Sequence, residues 1–292
     1  MRKRFRLFRT TVWIASLTAI LAIAQLAHGQ ANDLSRQMNQ PVPPFHIVGN
    51  IYYVGASDIT SYLIVTPAGD ILLDGGFVET APQIEANIKT LGFKLTDVKF
   101  LLNSHAHLDH AGGINELRKL SGAQFLAMDG DVAALTAGTA FPATAPDRVI
   151  HDGDTVKLGG VTITAHLTPG HTQGCTTWTM ATIDNGKTYN VVFVGSATVL
   201  PQYKLIDRPG APATYPGIEA DYEKTFRVLK SLPCDVFLGA HGSFWSMSDK
   251  RQVMATNPQQ NPFIDPWGYR AYIIKAEGVF QTELQKERAQ AN

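Results

Sequence analysis

Cysteine is nearly missing from this chain of 292 residues, which holds only Cys175 and Cys234. So small a supply excludes a disulfide-stapled scaffold and a zinc site built on several thiolates. The two could pair in an exported chain, yet nothing in their spacing requires it, and buried free thiols are the expectation. Positive charge is also scarce beyond the first residues. The chain has 25 basic and 25 acidic residues, but Arg2, Lys3, Arg4, Arg6 and Arg9 form a head without acids, which leaves residues 30–292 with 20 bases against 25 acids, about −5. Without a basic stripe no nucleic-acid partner is expected, because neutralising phosphates takes clustered Lys and Arg. Long apolar runs are lacking too, with one exception from Val12 to Ala24. That run follows the cationic head, falls short of the roughly 20 residues that span a bilayer, and gives way to the small-x-small pattern Ala27-His28-Gly29. This is the layout of a secretory signal peptide over residues 1–29, with a mature chain starting near Gln30. An uncleaved membrane anchor is the alternative. The expectation is a periplasmic protein without stable membrane association after cleavage, and no Cys follows the apolar run to carry a lipid. The 263 residues from 30 to 292 suffice for a large core, as one big domain or two fused halves.

Histidine is what the chain concentrates. It has nine, and three fall in Ser104-His105-Ala106-His107-Leu108-Asp109-His110-Ala111-Gly112-Gly113, together with an aspartate. Imidazole nitrogen and carboxylate oxygen are ligands that Zn²⁺ takes, and His105 and His107, two apart in an extended segment, project to the same side. Four ligands in one loop are too crowded for one tetrahedral ion, so two adjacent ions completed by ligands from elsewhere fit better. The apolar run Val98 to Leu102 before the motif predicts a buried strand, and Gly112-Gly113 turns into a helix from about Ile114 to Leu120. The ligands therefore sit at the C-terminal end of a strand, where α/β folds place their sites.

Taken in order, residues 31–45 predict an extended arm (Pro41, Pro43, Pro44), followed by strands over 46–54, 61–66 and 70–74 in an antiparallel start. Helical spacing marks 82–91, a strand 124–127 and a helix near 130–137. The Ala, Thr, Gly and Pro of 136–146 predict an exposed loop that could overhang a pocket. Strands are expected at 154–158, 161–167, 176–182 and 190–194, an irregular loop at 200–217, a helix at 218–232, a strand at 235–238, and closing helices at 247–255 and 267–287. Two further histidines arrive at strand ends between turn-forming residues: His171 in Thr168-Pro169-Gly170-His171 and His241 in Gly239-Ala240-His241-Gly242. Two sheets packed face to face with helices outside would bring all three His-bearing loops to one edge.

These residues resemble the metallo-β-lactamase superfamily over essentially the whole of 30–292, which implies a single α/β domain, an αββα sandwich of two mixed, largely antiparallel sheets with helices on both outer faces. By that resemblance His105, His107 and His171 bind one zinc and Asp109, His110 and His241 a second, and Asp74 in Leu72-Leu73-Asp74-Gly75-Gly76 is the acid that holds ligands in place by hydrogen bonds. Lactonase- and glyoxalase-II-type members carry a metal-bridging Asp after the strand that here is Val191 to Val194, and β-lactamases with a Cys ligand carry Cys there. This chain has Gly195-Ser196-Ala197-Thr198. With His105 intact and an Asp-His pair beside it, the chain is similar to subclass B3. Asn50-Ile51-Tyr52-Tyr53-Val54-Gly55, the stretch Thr168 to Trp178 and Leu232-Pro233-Cys234-Asp235-Val236 match as well. Cys175 is then no ligand. Some members pair the cysteine at Cys234 with one in the C-terminal helix region; no cysteine occurs there, so that bridge is absent. The resemblance implies antibiotic resistance through hydrolysis of the amide bond of penicillins, cephalosporins and carbapenems by zinc-activated hydroxide. Asp109 and Ser196 are the candidate catalytic residues. Ser196, Thr198 and, more weakly, Tyr203 are the candidate donors to the substrate carboxylate. The alternatives are another dizinc hydrolase acting on lactones, esters or thioesters, and a zinc-binding protein without turnover.

Overall fold

Alternation along the strands of the first half splits its apolar residues between two cores. In Ile71-Leu72-Leu73, the outer two pack into a core shared by both sheets, while Leu72 packs with the helices on the far side. A sheet buried on both faces explains why its strands read as apolar runs. The structure, a computed structural model, describes residues 33–257 and 259–291. The expected signal peptide lies outside them.

A short helix α1 over 33–38 opens the described chain. β1 (Phe45–Val48), β2 (Ile51–Tyr53), β3 (Tyr62–Ile64), β4 (Asp70–Leu73), β5 (Val98–Leu102), β6 (Gln124–Met128) and β7 (Arg148–Ile150) follow as a seven-stranded sheet in sequence order. Pairing is antiparallel as far as β4 and parallel beyond it. Helices α2 (Ala81–Thr90), α3 (Leu108–Ala111), α4 (Ile114–Ser121) and α5 (Val132–Ala137) belong to this half, and Ile84, Ile88, Ile114, Leu117 and Leu135 bury its outer face. The second sheet has the order β12-β11-β10-β9-β8, from β8 (Thr155–Leu158), β9 (Val161–Leu167), β10 (Thr176–Asp184), β11 (Lys187–Val194) and β12 (Val236–Gly239). Only its β11–β12 pair is parallel. α6 (Ile218–Ser231), α7 (Met247–Thr256) and α8 (Pro266–Ala291) complete this half, with Tyr222 of α6 stacked on Phe280 of α8 at 5.3 Å. The expected αββα sandwich is what the chain forms. Among the described residues no helix is long and apolar enough to cross a membrane.

Local departures have local causes. Residues 46–54 form two strands rather than one, because the backbone turns at Gly49 (φ +54), where an added Cβ would lie 2.2 Å from Thr182 Oγ1. Of the expected extended arm, residues 33–38 form α1 instead. β10 and β11 run longer than expected, joined by Asn185 (φ 49) and Gly186 (φ 77), the paired positive-φ positions of a tight hairpin turn. The 136–146 loop is not wholly exposed: Phe141 is buried under α4 and α5, and Thr144 N–H donates to the Leu135 carbonyl at 2.8 Å. β7 has no counterpart in the sequence reading, since two of its three residues are exposed.

Candidate metal centre

Seven connections meet at one edge of the sandwich. They leave β2, β4, β5, β6, β9, β11 and β12, and each carries a functional side chain there. Asp74 follows β4 with φ 64, a left-handed conformation that a non-glycine residue adopts at some cost. The conformation turns its carboxylate back under the next ligand loop, where Oδ1 accepts the Ser104 N–H at 2.6 Å and the Asn103 side-chain amide at 3.0 Å. Oδ2 lies 3.5 Å from His110 Nδ1, an ion-pair distance too long for a good hydrogen bond.

Above this support the ligand residues form two triads. His105, His107 and His171 bring one nitrogen each to within 4.8 Å of one another, and Asp109, His110 and His241 do the same with two nitrogens and an oxygen. The His105, His107 and His171 rings surround a point at centroid separations of 4.7 to 4.8 Å. In the second triad Asp109 Oδ2 is 3.3 Å from His110 Nε2 and 3.6 Å from His241 Nε2. The triads touch, with His105 and His110 at a centroid distance of 4.2 Å.

The donors fit zinc. Burial, followed by the neighbouring imidazoles, lowers the first triad's basicity: His105 lies well below the ordinary histidine value and His171 falls to about 3. His107 falls to about 4, with burial again the main cause. These rings are neutral near pH 7, the form that binds metal. His105 Nε2 is buried with no hydrogen-bond partner, an orphan that costs about 1–3 kcal/mol unless something accepts its lone pair. In the second triad burial alone would raise the Asp109 pKa, but the charge and hydrogen bond of His110 hold it well below the carboxylate range. Burial would lower His110, yet Asp109 and Asp74 raise it to about 10. That corner draws positive charge, whether carried by a proton or a cation. Three imidazoles on one side and two with a carboxylate on the other suit zinc sites that keep open positions.

Three of the far nitrogens are also held. His105 Nδ1 is 3.0 Å from Ser104 Oγ, and His171 Nδ1–H donates to the Thr198 carbonyl at 2.9 Å. His241 Nδ1–H donates to Asp58 Oδ2 at 3.0 Å. Asp58 stands in the β2–β3 connection. It looked like an ordinary turn residue in sequence, and only its position at the sheet edge distinguishes it. Asp131 is a second carboxylate that sequence reasoning missed. Buried before α5, it accepts the Ala106 N–H at 2.7 Å, the Gly174 N–H at 2.8 Å and the Thr172 hydroxyl at 2.9 Å. It thereby ties the loop of His105 and His107 to the loop of His171.

The expected substrate-side residues fall on the His171 flank. Thr198 Oγ1 is 3.2 Å from His171 Nδ1. The Tyr203 hydroxyl donates to the His171 carbonyl at 2.6 Å and lies 3.5 Å from His107 Nε2. Tyr203 thus stands beside the ligands. Burial raises its pKa to about 12, so it remains a donor at neutral pH. Ser196 is only 1% exposed and its hydroxyl engages Thr198 Oγ1 at 3.0 Å. It supports Thr198 from below. Cys175 is buried behind this loop with its thiol on the Ser196 carbonyl at 3.4 Å, away from both triads. It and the half-buried Cys234 are free thiols, as expected.

Residues 54–241 match the model of the metallo-β-lactamase superfamily. The chain belongs to that superfamily, and it is a zinc hydrolase. Among solved structures it is similar to the metallo-β-lactamase FEZ-1 of Legionella gormanii, 46% identical with TM-score 0.82, covering 86% of this chain and 98% of that one. It is likewise similar to BJP-1 of Bradyrhizobium japonicum, a subclass B3 metallo-β-lactamase: 40% identical, TM-score 0.82, 88% and 99% covered. The subclass B3 resemblance read from the sequence is borne out. More distant relatives carry other names. A persulfide dioxygenase of Homo sapiens is 27% identical over 86% of this chain and 93% of its own. A probable metallo-hydrolase of Burkholderia pseudomallei is 31% identical over 53% of this chain, which spans about half (54%) of that relative. A hydroxyacylglutathione hydrolase of Rhodopseudomonas palustris is 34% identical over 40% and 41%.

Proposed function

We propose that this protein hydrolyses the amide bond of β-lactam antibiotics on two zinc ions, one held by His105, His107 and His171 and the other by Asp109, His110 and His241. The observation that carries the reading is the loop after β11, which presents Thr198 and Tyr203 beside the first triad and brings no carboxylate between the triads. Likeness to B3 enzymes over nearly the whole chain supports it. Zinc bound in these triads supplies Lewis acidity for the lactam carbonyl and lowers the pKa of water toward about 7.

The chain's own residues do the rest. Asp109, acidic enough to stay ionised, orients the attacking water by accepting its hydrogen bond and passes the proton that the water loses on to the ring nitrogen as the C–N bond breaks. Thr198 offers a hydroxyl donor on one side of the cleft, suited to an anionic substrate carboxylate, and Tyr203 can join it only by giving up its bond to the His171 carbonyl. Ser196, bonded to Thr198, fixes that donor's direction. Asp74 and Asp131 hold the ligand loops from beneath, so the site needs little reorganisation when substrate arrives. With no acid bridging the triads, Asp109, His110 and His241 would hold a cation that is less fully neutralised, a setting suited to a leaving nitrogen that turns anionic.

The names of the distant relatives point to thioester or persulfide chemistry in those proteins, so the test is comparative. We expect kcat/KM for a carbapenem to exceed that for an acyl-homoserine lactone and a glutathione thioester on the same zinc-loaded protein. A lactone or thioester ahead by about tenfold, some 1.4 kcal/mol of transition-state stabilisation, overturns the assignment. Export belongs to the same proposal, and the mature protein's N-terminal residue is expected near Gln30.

A further inference from the structure

The partners of the far imidazole nitrogens divide by metal site. At the first triad they are neutral, a serine hydroxyl for His105 and a backbone carbonyl for His171. At the second a carboxylate, Asp58, hydrogen-bonds His241, while Asp74 stands at ion-pair distance, 3.5 Å, from His110 Nδ1. Asp58 reaches His241 across 183 positions of sequence and is itself anchored on several sides. Its Oδ1 accepts the Ser243 N–H at 2.6 Å, its carbonyl accepts the Gly242 N–H at 2.7 Å, and the adjacent Ile59 forms an antiparallel bridge with His241. One carboxylate thus grips both the His241 ring and the backbone that follows it.

We propose that Asp58 is the positioning residue of the second metal triad, holding the His241 ring in the one tautomer that can bind. The proposal rests on the dinuclear reading above. An ionised carboxylate only accepts hydrogen bonds, so its contact with Nδ1 requires the proton there and leaves Nε2 bare. Nε2 then faces Asp109 Oδ2 at 3.6 Å and His110 Nε2 at 3.3 Å, where the shared cation belongs. An amide at position 58 cannot reproduce this. Turning its oxygen to the Ser243 N–H aims its NH₂ at His241, which makes Nδ1 the acceptor and moves the proton to Nε2, the ligand atom. The negative charge behind the ring also makes a histidine a stronger donor.

The experiment is zinc titration of the metal-depleted mature chain against a chromophoric chelator, for the parent protein and for Asp58→Asn and Asp58→Glu, with the His241 tautomer read by ¹⁵N NMR before zinc is added. We expect Asp58→Asn to weaken the second zinc by about 10- to 100-fold, leave the first unchanged, and shift His241 to the Nε2–H form. Asp58→Glu, which keeps the charge on a longer arm, recovers part of the loss. If the parent binds two zinc ions and Asp58→Asn does so with unaltered affinity, Asp58 is not a positioning residue, although the dinuclear reading stands. A parent chain that takes up only one zinc overturns both. Equal weakening of both sites, or an unchanged tautomer, overturns the proposal by assigning Asp58 to the general structure of the edge. Should Asp58→Asn fail to fold, Asp58→Glu decides, and an unaltered second affinity in it counts against the proposal.

Discussion

Asp109 belongs to the second triad alone, so a change there separates the roles of the two. Asp109→Asn is expected to keep the first zinc, because three histidines are untouched, and to lose the second together with at least about a hundredfold in kcat. Zinc content after dialysis, measured beside the rate, checks this; near-native turnover with a single zinc would demote Asp109 to support. Asp131 allows a test by pH. Burial pushes its carboxyl up to about 6, against the pull of Gly174, Ala106 and Thr172, while in the unfolded chain it titrates near 3.9. Between about pH 4 and pH 6 the native state keeps a proton that the unfolded state has released, so stability falls as pH rises through that window, by about 3 kcal/mol at most. Asp131→Asn lacks this slope but turns an N–H₂ toward a donor, at a cost of about 1–3 kcal/mol. Urea unfolding of both metal-free proteins across that range should therefore show the gap between them narrowing toward neutral pH. The ligands were legible in sequence because histidine is rare and theirs are clustered or framed by turn residues, and Asp74 because it ends an apolar strand. Asp58 and Asp131 were not, since carboxylates are common and what distinguishes these two is contact with distant loops.

At the scale of elements, the ligand loops are set by small residues packed against large ones. Gly170, with φ +127, lies where an added Cβ would come within 2.8 Å of the Tyr222 ring. The Tyr222 hydroxyl donates to the Thr198 carbonyl at 2.7 Å, and that carbonyl also receives His171 Nδ1–H. Gly170→Ala is therefore expected to cost about 2 kcal/mol or more and to weaken the first zinc, since displacing α6 from the loop moves the acceptor that aligns His171. Zinc titration and thermal unfolding of the same preparation test both parts; lost stability with an intact first site would uncouple them. Long strands and helices could be read from apolar runs and helical spacing. The turn inside 46–54 was also legible, in Gly49-Asn50 between two apolar runs, whereas β7 is too short and exposed for a pattern to form.

For the whole molecule, the two triads make zinc a component of stability. With free zinc at about a hundred times each dissociation constant, each site contributes about 2.7 kcal/mol, which for a chain of this size raises Tm by roughly 10–20 °C in all. Differential scanning calorimetry with zinc and with a chelator measures the shift, and a Tm indifferent to both would mean that the triads hold no metal. Reductant should leave Tm unchanged, since Cys175 and Cys234 are free thiols.

The seven connections that supply the site leave strands of both sheets, and its ligands lie as far apart in sequence as His105 and His241. No fragment with local contacts alone can assemble it. In kinetic terms the centre is a high-contact-order object, formed after the slow search that docks one sheet on the other. Refolding in the presence of Co²⁺ should then show helical circular dichroism returning first and the d–d absorbance of the bound ion appearing only in the slowest phase. The metal site is, on this account, a clock for completion of the fold.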